Sequence, residues 1–133
     1  MVGVAPRACT IAASLSVIGE KWSLLVIREL SLGVHRFDAI QRNTGAPRDI
    51  LSSRLRRLES EGVVEKRPYQ LHPPRHEYRL TRAGDELRPI LLSLAEWGAR
   101  WTDESTHAMW VHECGGEVTG LDLRRRGRSE SAA

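Results

Sequence analysis

A break at Gly45-Ala46-Pro47 divides residues 36–61 into two helical patterns, and it constrains the fold more than any other feature. Gly45 can adopt a backbone conformation that other residues resist, and Pro47 fits the first turn of a new helix. Apolar residues at helical spacing lie on both sides of the break: Phe37, Ile40, Leu51, Leu55 and Leu58. The pattern predicts a short helix, a tight turn and a longer helix.

The longer helix carries a polar face opposite its leucines. This arrangement is typical of a helix-turn-helix, whose second helix enters the major groove of DNA. The alternative is an ordinary helical hairpin with a solvated charged face. Arginine paired with guanine is the commonest specific base contact. We therefore predict base contacts for Arg48, Ser52, Ser53 and Arg56.

Two further arginines of this helix, Arg54 and Arg57, point more to the side. We predict that they contact phosphates. The alternative for each is an ion pair with Glu59, Glu61 or Glu65, since surface ion pairs are common and weak. Arg36, at the start of the shorter helix, is a further DNA-contact candidate.

A β-hairpin is predicted directly after the two helices. Val63-Val64 suits a strand, and Glu77–Leu80 alternates polar and apolar residues as a second strand does. Two adjacent prolines lie between them, so residues 68–76 are predicted to form a long basic loop, the wing of a winged helix. Arg75 is the best candidate for a wing contact with DNA. Behind it come Lys66, Arg67 and His76.

Charge is segregated along the 133 residues. Residues 36–82 hold eleven basic and six acidic residues, a net charge of +5, whereas residues 83–123 hold two basic and eight acidic residues, a net charge of −6. The basic charge thus coincides with the predicted helix-turn-helix and wing. A local positive field favours binding to the phosphate backbone of nucleic acid.

The rest of the chain predicts a mainly helical α+β domain over residues 9–101. Two short helices, from Cys9 to Val17 and from Trp22 to Leu32, precede the helix-turn-helix. A long helix with a wide apolar face runs from Arg82 to about Asp103 and is expected to bend at Pro89. We expect this helix to pack on a second copy of the chain, because such readers usually bind paired half-sites as dimers. The alternative is that its apolar face only covers the core of its own domain. Residues 102–123 are a C-terminal extension of open role, and residues 124–133 a basic disordered tail.

Several other classes of protein are disfavoured. No nucleophile–base pair or phosphate-binding loop is apparent, so we expect no enzyme and no cofactor. His107, His112 and Cys114 supply too few ligands with paired spacing for a zinc site, so we expect no metal. There is no membrane-spanning apolar run and no signal-peptide pattern, so we expect a cytoplasmic, nucleoid-associated protein.

The stretch from Cys9 to Trp101 resembles the HxlR family of bacterial winged helix-turn-helix regulators, relatives of the MarR group. The residues that carry the resemblance occur in the family's order and spacing. They are Cys9, Ile18-Gly19-Glu20-Lys21-Trp22, Arg36-Phe37, Ser53-Arg54-Leu55-Arg56-Arg57-Leu58-Glu59, Gly62-Val63-Val64, Pro73-Pro74-Arg75-His76-Glu77-Tyr78 and Ala95-Glu96-Trp97. The resemblance implies a homodimeric regulator, which we expect to be a repressor, bound to a double-stranded DNA operator. It also implies dimer contacts from the N-terminal and long C-terminal helices.

The resemblance makes Cys9 a candidate sensor of electrophiles or oxidants, with Cys114 as a resolving partner. A reactive thiol must be exposed and must populate its thiolate, which a helix N-terminus favours. The alternative is that Cys9 is a small buried hydrophobe. A small-molecule effector could instead bind among Trp22, Trp97 and Trp101, although tryptophans at helical spacing are more often core residues.

Two rival functions stay open. One is a winged helix that has lost DNA binding and pairs with another protein, for which a neutral or acidic recognition face is expected. The other is a nonspecific architectural DNA binder, which would show no preference among duplexes. The net positive charge of residues 36–82 argues against the first.

Overall fold

The computed structural model describes residues 6–102. The elements in this range are α1 (Thr10–Ile18), α2 (Ser23–Ser31), α3 (Phe37–Thr44), α4 (Arg48–Ser60), β1 (Val64–Leu71), β2 (Pro74–Leu80), α5 (Arg82–Asp85) and α6 (Arg88–Trp101). The two strands pair antiparallel. The expected α+β, mainly helical winged helix-turn-helix is confirmed. Residues 103–123 of the C-terminal extension, which include His107, His112 and Cys114, and the basic tail lie outside the described residues.

One hydrophobic core joins the helices to the base of the hairpin. It is built from the apolar faces of α2, α3 and α4, together with Val63, directly before β1, and Val64, its first residue. Leu51, Leu55 and Leu58 are each at most 1% exposed. Because these leucines fill the core, α4 must present its opposite, polar face to solvent.

The turn between α3 and α4 forms where the sequence predicts it. Gly45 has φ +76°, in the left-handed region, and its N–H donates to the carbonyl of Gln41 at 2.9 Å. Ala46 is buried, and Pro47 lies directly before the first helical residue of α4. The turn fixes the entry of α4 onto the core.

The expectation of a long loop in the wing is wrong. β1 continues to Leu71 and β2 begins at Pro74, so only His72 and Pro73 separate the strands. Two prolines are tolerated because a two-stranded sheet has only edge strands. Pro68, which lacks a donor, pairs with His76 beside an irregularity in the register between Pro68 and Gln70.

The expected single helix from Arg82 to about Asp103 is wrong, although the irregularity expected at Pro89 is confirmed. The chain instead forms the short α5, a turn at residues 86–87, and α6. Pro89 explains the break, since its ring removes a backbone donor and is accommodated in the first turn of a new helix. α5 is capped by Thr81, whose Oγ1 accepts the N–H of Gly84 at 3.3 Å.

The two N-terminal helices begin at different residues from those expected. Cys9 is the N-cap of α1 rather than its first helical residue. Trp22 precedes α2 with φ +85°, a left-handed conformation that is unfavourable for a bulky residue, and it packs against the core. No single helix among residues 6–102 is long and apolar enough to span a membrane. α1 and α2 meet that test only as a pair, and the pair is bent by 77°.

Candidate nucleic-acid interface

The exposed side of α4 carries the residues predicted to contact bases. Arg48, Ser53 and Arg56 are exposed, and Ser52 is half-buried. Arg48, at the N-terminal end of α4, has a side chain that is 70% exposed. It is 3.4 Å from the carboxylate of Asp38 and lies over the ring of Phe37 at 4.9 Å. Both contacts are with α3, so they hold this guanidinium at the junction of the two helices.

Arg54 and Arg57, the predicted phosphate contacts, are directed toward the N-terminal helices. Arg54 forms an ion pair with Glu20 at 2.7 Å and donates to the carbonyl of Lys21 at 3.1 Å. Arg57 donates to the carbonyl of Ser16 at 3.0 Å.

One acidic partner of these arginines matches the alternative drawn from sequence. Arg57 is 3.4 Å from Glu61, one helical turn away on α4. Arg54, by contrast, pairs with Glu20, which local sequence did not suggest. These contacts tie α4 to α1 and to the turn after it.

The wing presents cations on both strands. Lys66, Arg67, Arg75 and His76 are exposed, and Arg67 forms an ion pair with Glu65 on its own strand. The wing is anchored at its base because the N–H of Tyr78 donates to the carbonyl of His35 at 2.8 Å.

His35 joins the linker between α2 and α3 to β2. Its Nδ1 lies 2.9 Å from the carbonyl oxygen of Tyr78, so Nδ1 must carry the proton in this contact. Burial lowers the pKa of His35 below its usual value, and the nearby Arg79 lowers it further. Burial also raises the pKa of Tyr78, with a smaller contribution from Glu59. The base of the wing therefore favours a neutral imidazole.

Arg36 and two residues that sequence reasoning missed meet between α3 and the wing. Arg36 lies over the ring of Tyr69 at 4.4 Å. Arg36, Arg42, Tyr69 and Arg75 line one open cleft. No local pattern signals this grouping, since α3 and the wing are separated along the chain by the whole of α4.

Cys9 is exposed and caps α1. Its Sγ accepts the N–H of Ala12 at 3.3 Å, and the first turn of α1 contains no acidic residue. Cys9 is therefore not the small buried hydrophobe of the alternative. Within residues 6–102 there is no group of three His, Cys, Asp or Glu side chains that could hold a metal ion.

Two helices expose large apolar side chains. On α6, Trp97 is 61% and Trp101 is 68% exposed. Ile90 and Leu94 are exposed as well, and the four residues follow one another at intervals of three or four, which places them on one face of the helix. On α1, Ile11 and Leu15 lie one turn apart and are exposed as well. Trp22, the third predicted pocket residue, instead packs against the core.

A helix-turn-helix followed by a basic β-hairpin defines the winged helix-turn-helix class. Residues 17–106 match the HxlR-like helix-turn-helix family, and the chain belongs to this family. It is 46% identical over 89 residues to an uncharacterized HTH-type transcriptional regulator of Mycobacterium bovis, covering 67% of this chain and 56% of that protein. The chain thus spans little more than half the length of this relative.

Solved structures of the same architecture are also similar. The transcription factor PA1607 superposes with a TM-score of 0.67 at 38% identity, covering 74% of this chain and 70% of that one. The redox regulator HypR in its oxidized form superposes with a TM-score of 0.63 at 34% identity, covering 72% of this chain and 100% of that one.

Proposed function

We propose that this protein is a homodimeric, sequence-specific DNA-binding transcriptional regulator that acts as a repressor in the cytoplasm. The observation that carries the proposal is the exposed basic face of α4 beside a basic wing. Arg48 and Arg56 are exposed on α4, and Arg75 is exposed on the wing. Such a surface suits base contacts in the major groove flanked by phosphate contacts. Curated members of the family carry the name HTH-type transcriptional regulator.

Dimerisation is supported by the apolar faces of α1 and α6. A monomer rarely exposes several large apolar side chains on one helix without a partner. In a twofold dimer the same faces of both copies bury one another, and each copy presents one recognition helix to one half-site. A dimer bound across a promoter would block RNA polymerase, which is the basis for proposing repression.

We propose a thiol at Cys9 as the signal input, with a small effector as the alternative. The Cys9 thiol is exposed at the N-terminus of α1, where its Sγ accepts the N–H of Ala12, so it is open to reagents from solvent. Oxidation or alkylation adds a substituent to Sγ, the acceptor for the N–H of Ala12, and so would disturb the capped first turn of α1. Similarity to HypR, a redox regulator, supports the same input.

The testing experiment measures binding to the intergenic DNA upstream of the protein's own gene and to a scrambled duplex of equal length. We expect tighter binding to the intergenic DNA. Equal affinity for the two duplexes would favour an architectural role, and absence of binding at low salt would favour the protein-interaction module.

The thiol input is tested with the same duplex after mild oxidation and after reduction. We expect oxidation to weaken binding and a reductant to restore it. Cys9→Ser is the matched variant, because serine keeps an N-cap acceptor and lacks the thiol. Cys114→Ser tests whether the response to oxidation also requires the second cysteine. If Cys9→Ser responds to oxidation as the wild type does, Cys9 is not the sensor.

A further inference from the structure

An open cleft of about 380 Å³ separates the N-terminal part of α3 from the wing. Its charged lining is predominantly basic. Three arginines and a histidine line it, with Asp38 as the single acidic residue of the lining: Arg36, Arg42, Arg75 and His76. That carboxylate is already 3.4 Å from Arg48. The cleft therefore offers more positive than negative charge to a bound group.

The arrangement also provides fixed hydrogen-bond donors. The ring of Tyr69 supports the guanidinium of Arg36 at 4.4 Å, which limits the freedom of that side chain. Arg36 is the N-cap residue of α3, so the unpaired N–H groups of the first turn lie next to it. Arginine is the side chain best suited to phosphate, because its planar group donates two parallel hydrogen bonds.

The cleft is continuous with the start of α4. Phe37 and Asp38 line it, and both contact Arg48, the first residue of that helix. A duplex that receives Arg48 in its major groove therefore passes its adjacent backbone close to the cleft.

We propose that this cleft binds a phosphate of the DNA backbone, with Arg42 and Arg36 as ligands from α3 and Arg75 as the ligand from the wing. The inference rests on the proposed DNA binding. It adds Arg42 as a contact and assigns Tyr69 the role of positioning Arg36. Contacts from α3 and from the wing to one strand would set the distance of the wing from the duplex.

The experiment compares Arg42→Gln with Arg82→Gln in binding to a mixed-sequence duplex over a range of salt concentrations. Each variant removes one positive charge, but Arg82 is on α5 with a side chain 95% exposed and paired with Glu86. We expect Arg42→Gln to reduce the slope of log K against log salt by about 0.9, the value for one phosphate contact. Arg82→Gln should leave the slope unchanged. Equal slopes for the two variants would overturn the proposal.

Two additional measurements keep the result decisive. Thermal unfolding shows whether both variants fold. If Arg42→Gln does not fold, Arg36→Gln is used in its place, with the same expected reduction of the salt slope. Inorganic pyrophosphate tests for a small anion as the ligand. If the wild type binds the duplex but the Arg42 variant has the same salt slope, this inference alone is overturned. If the wild type binds no duplex, the proposed function is overturned as well. Stabilisation by pyrophosphate that depends on Arg42 without duplex binding would assign the cleft to a small phosphate ligand instead.

Discussion

The Nδ2 of Asn43 donates to the Oε2 of Glu29 at 2.8 Å. Glu29 is 4% exposed on α2, and Asn43 lies two residues before Gly45 in the helix-turn-helix. Arg28 completes the group, since its Nε donates to Oε1 of Glu29 at 3.0 Å and its Nη2 to the carbonyl of Asn43 at 3.3 Å. A buried carboxylate is stable only when its oxygens have donors. This group therefore fixes the end of α3 relative to α2.

Asn43→Ala should lower the free energy of unfolding by about 1–3 kcal/mol, because a buried carboxylate oxygen loses its donor. Chemical denaturation measures the loss. In a Glu29→Gln background the same substitution should cost less, since no buried charge is left without a donor. A double-mutant cycle gives the difference as an interaction energy of at least about 0.5 kcal/mol. Additive effects of the two substitutions would show that they do not interact.

Acid should destabilise the wild type more than a His35→Asn variant. The lowered pKa of His35 means that the unfolded chain binds a proton, with pKa near 6.5, before the folded protein does. Stability from the neutral imidazole is thus present above pH 6.5 and is lost as the pH falls toward the lower folded pKa. Asparagine keeps a donor for the carbonyl of Tyr78 and does not titrate. Unfolding midpoints between pH 8 and pH 5 test this, and parallel curves for the two proteins would contradict it.

Gly84→Ala should destabilise the fold by about 1–3 kcal/mol. A Cβ at Gly84 would lie 2.3 Å from the carbonyl oxygen of Val63 and 2.8 Å from Cδ2 of Leu80. The backbone oxygen cannot move without disturbing β1. Ala83→Ser is the control, because it adds one heavy atom at the exposed neighbouring position and should change stability by less than about 0.5 kcal/mol. Equal effects of the two substitutions would contradict this, because they would show that α5 can move away from Val63 at little cost.

Trp97→Glu should convert a dimer into a monomer. The substitution places a charge on the exposed apolar face of α6, where the proposed interface would have to bury it. Leu71→Glu is the control, because Leu71 is 70% exposed but lies on the wing. Sedimentation should give twice the chain mass for the wild type and for Leu71→Glu, and the chain mass for Trp97→Glu. A wild-type monomer would remove the proposed interface.

Arg56→Gln should lower the affinity for DNA, whereas Arg54→Gln should lower the stability of the fold. Arg56 is exposed, so its loss should weaken discrimination of the operator by about 1–3 kcal/mol and leave unfolding unchanged. Arg54→Gln removes the contacts with Glu20 and Lys21, so it should lower stability by about 0.5–1.5 kcal/mol. Operator titration and denaturation of both variants measure this. A reduced salt slope for Arg54→Gln at unchanged stability would support the prediction that Arg54 contacts a phosphate.

Features that depend on neighbouring residues follow from the sequence alone. The turn at Gly45 and the leucine stripe of α4 are local, because backbone preference and helical periodicity are properties of a few consecutive residues. For the same reason the order of elements and the basic character of residues 36–82 could be predicted. The resemblance to the HxlR family rests on these features.

Only the tertiary structure decided which arginines bond to other parts of the chain and where the strands and the C-terminal helix begin. Arg54 meets Lys21 and Arg57 meets Ser16, pairs separated by 33 and 41 residues. The two strands of the wing are stabilised by hydrogen bonds to each other, so the length of each strand depends on their pairing rather than on the sequence of either strand alone. Contacts of this kind form when distant segments pack, and local sequence carries no record of them.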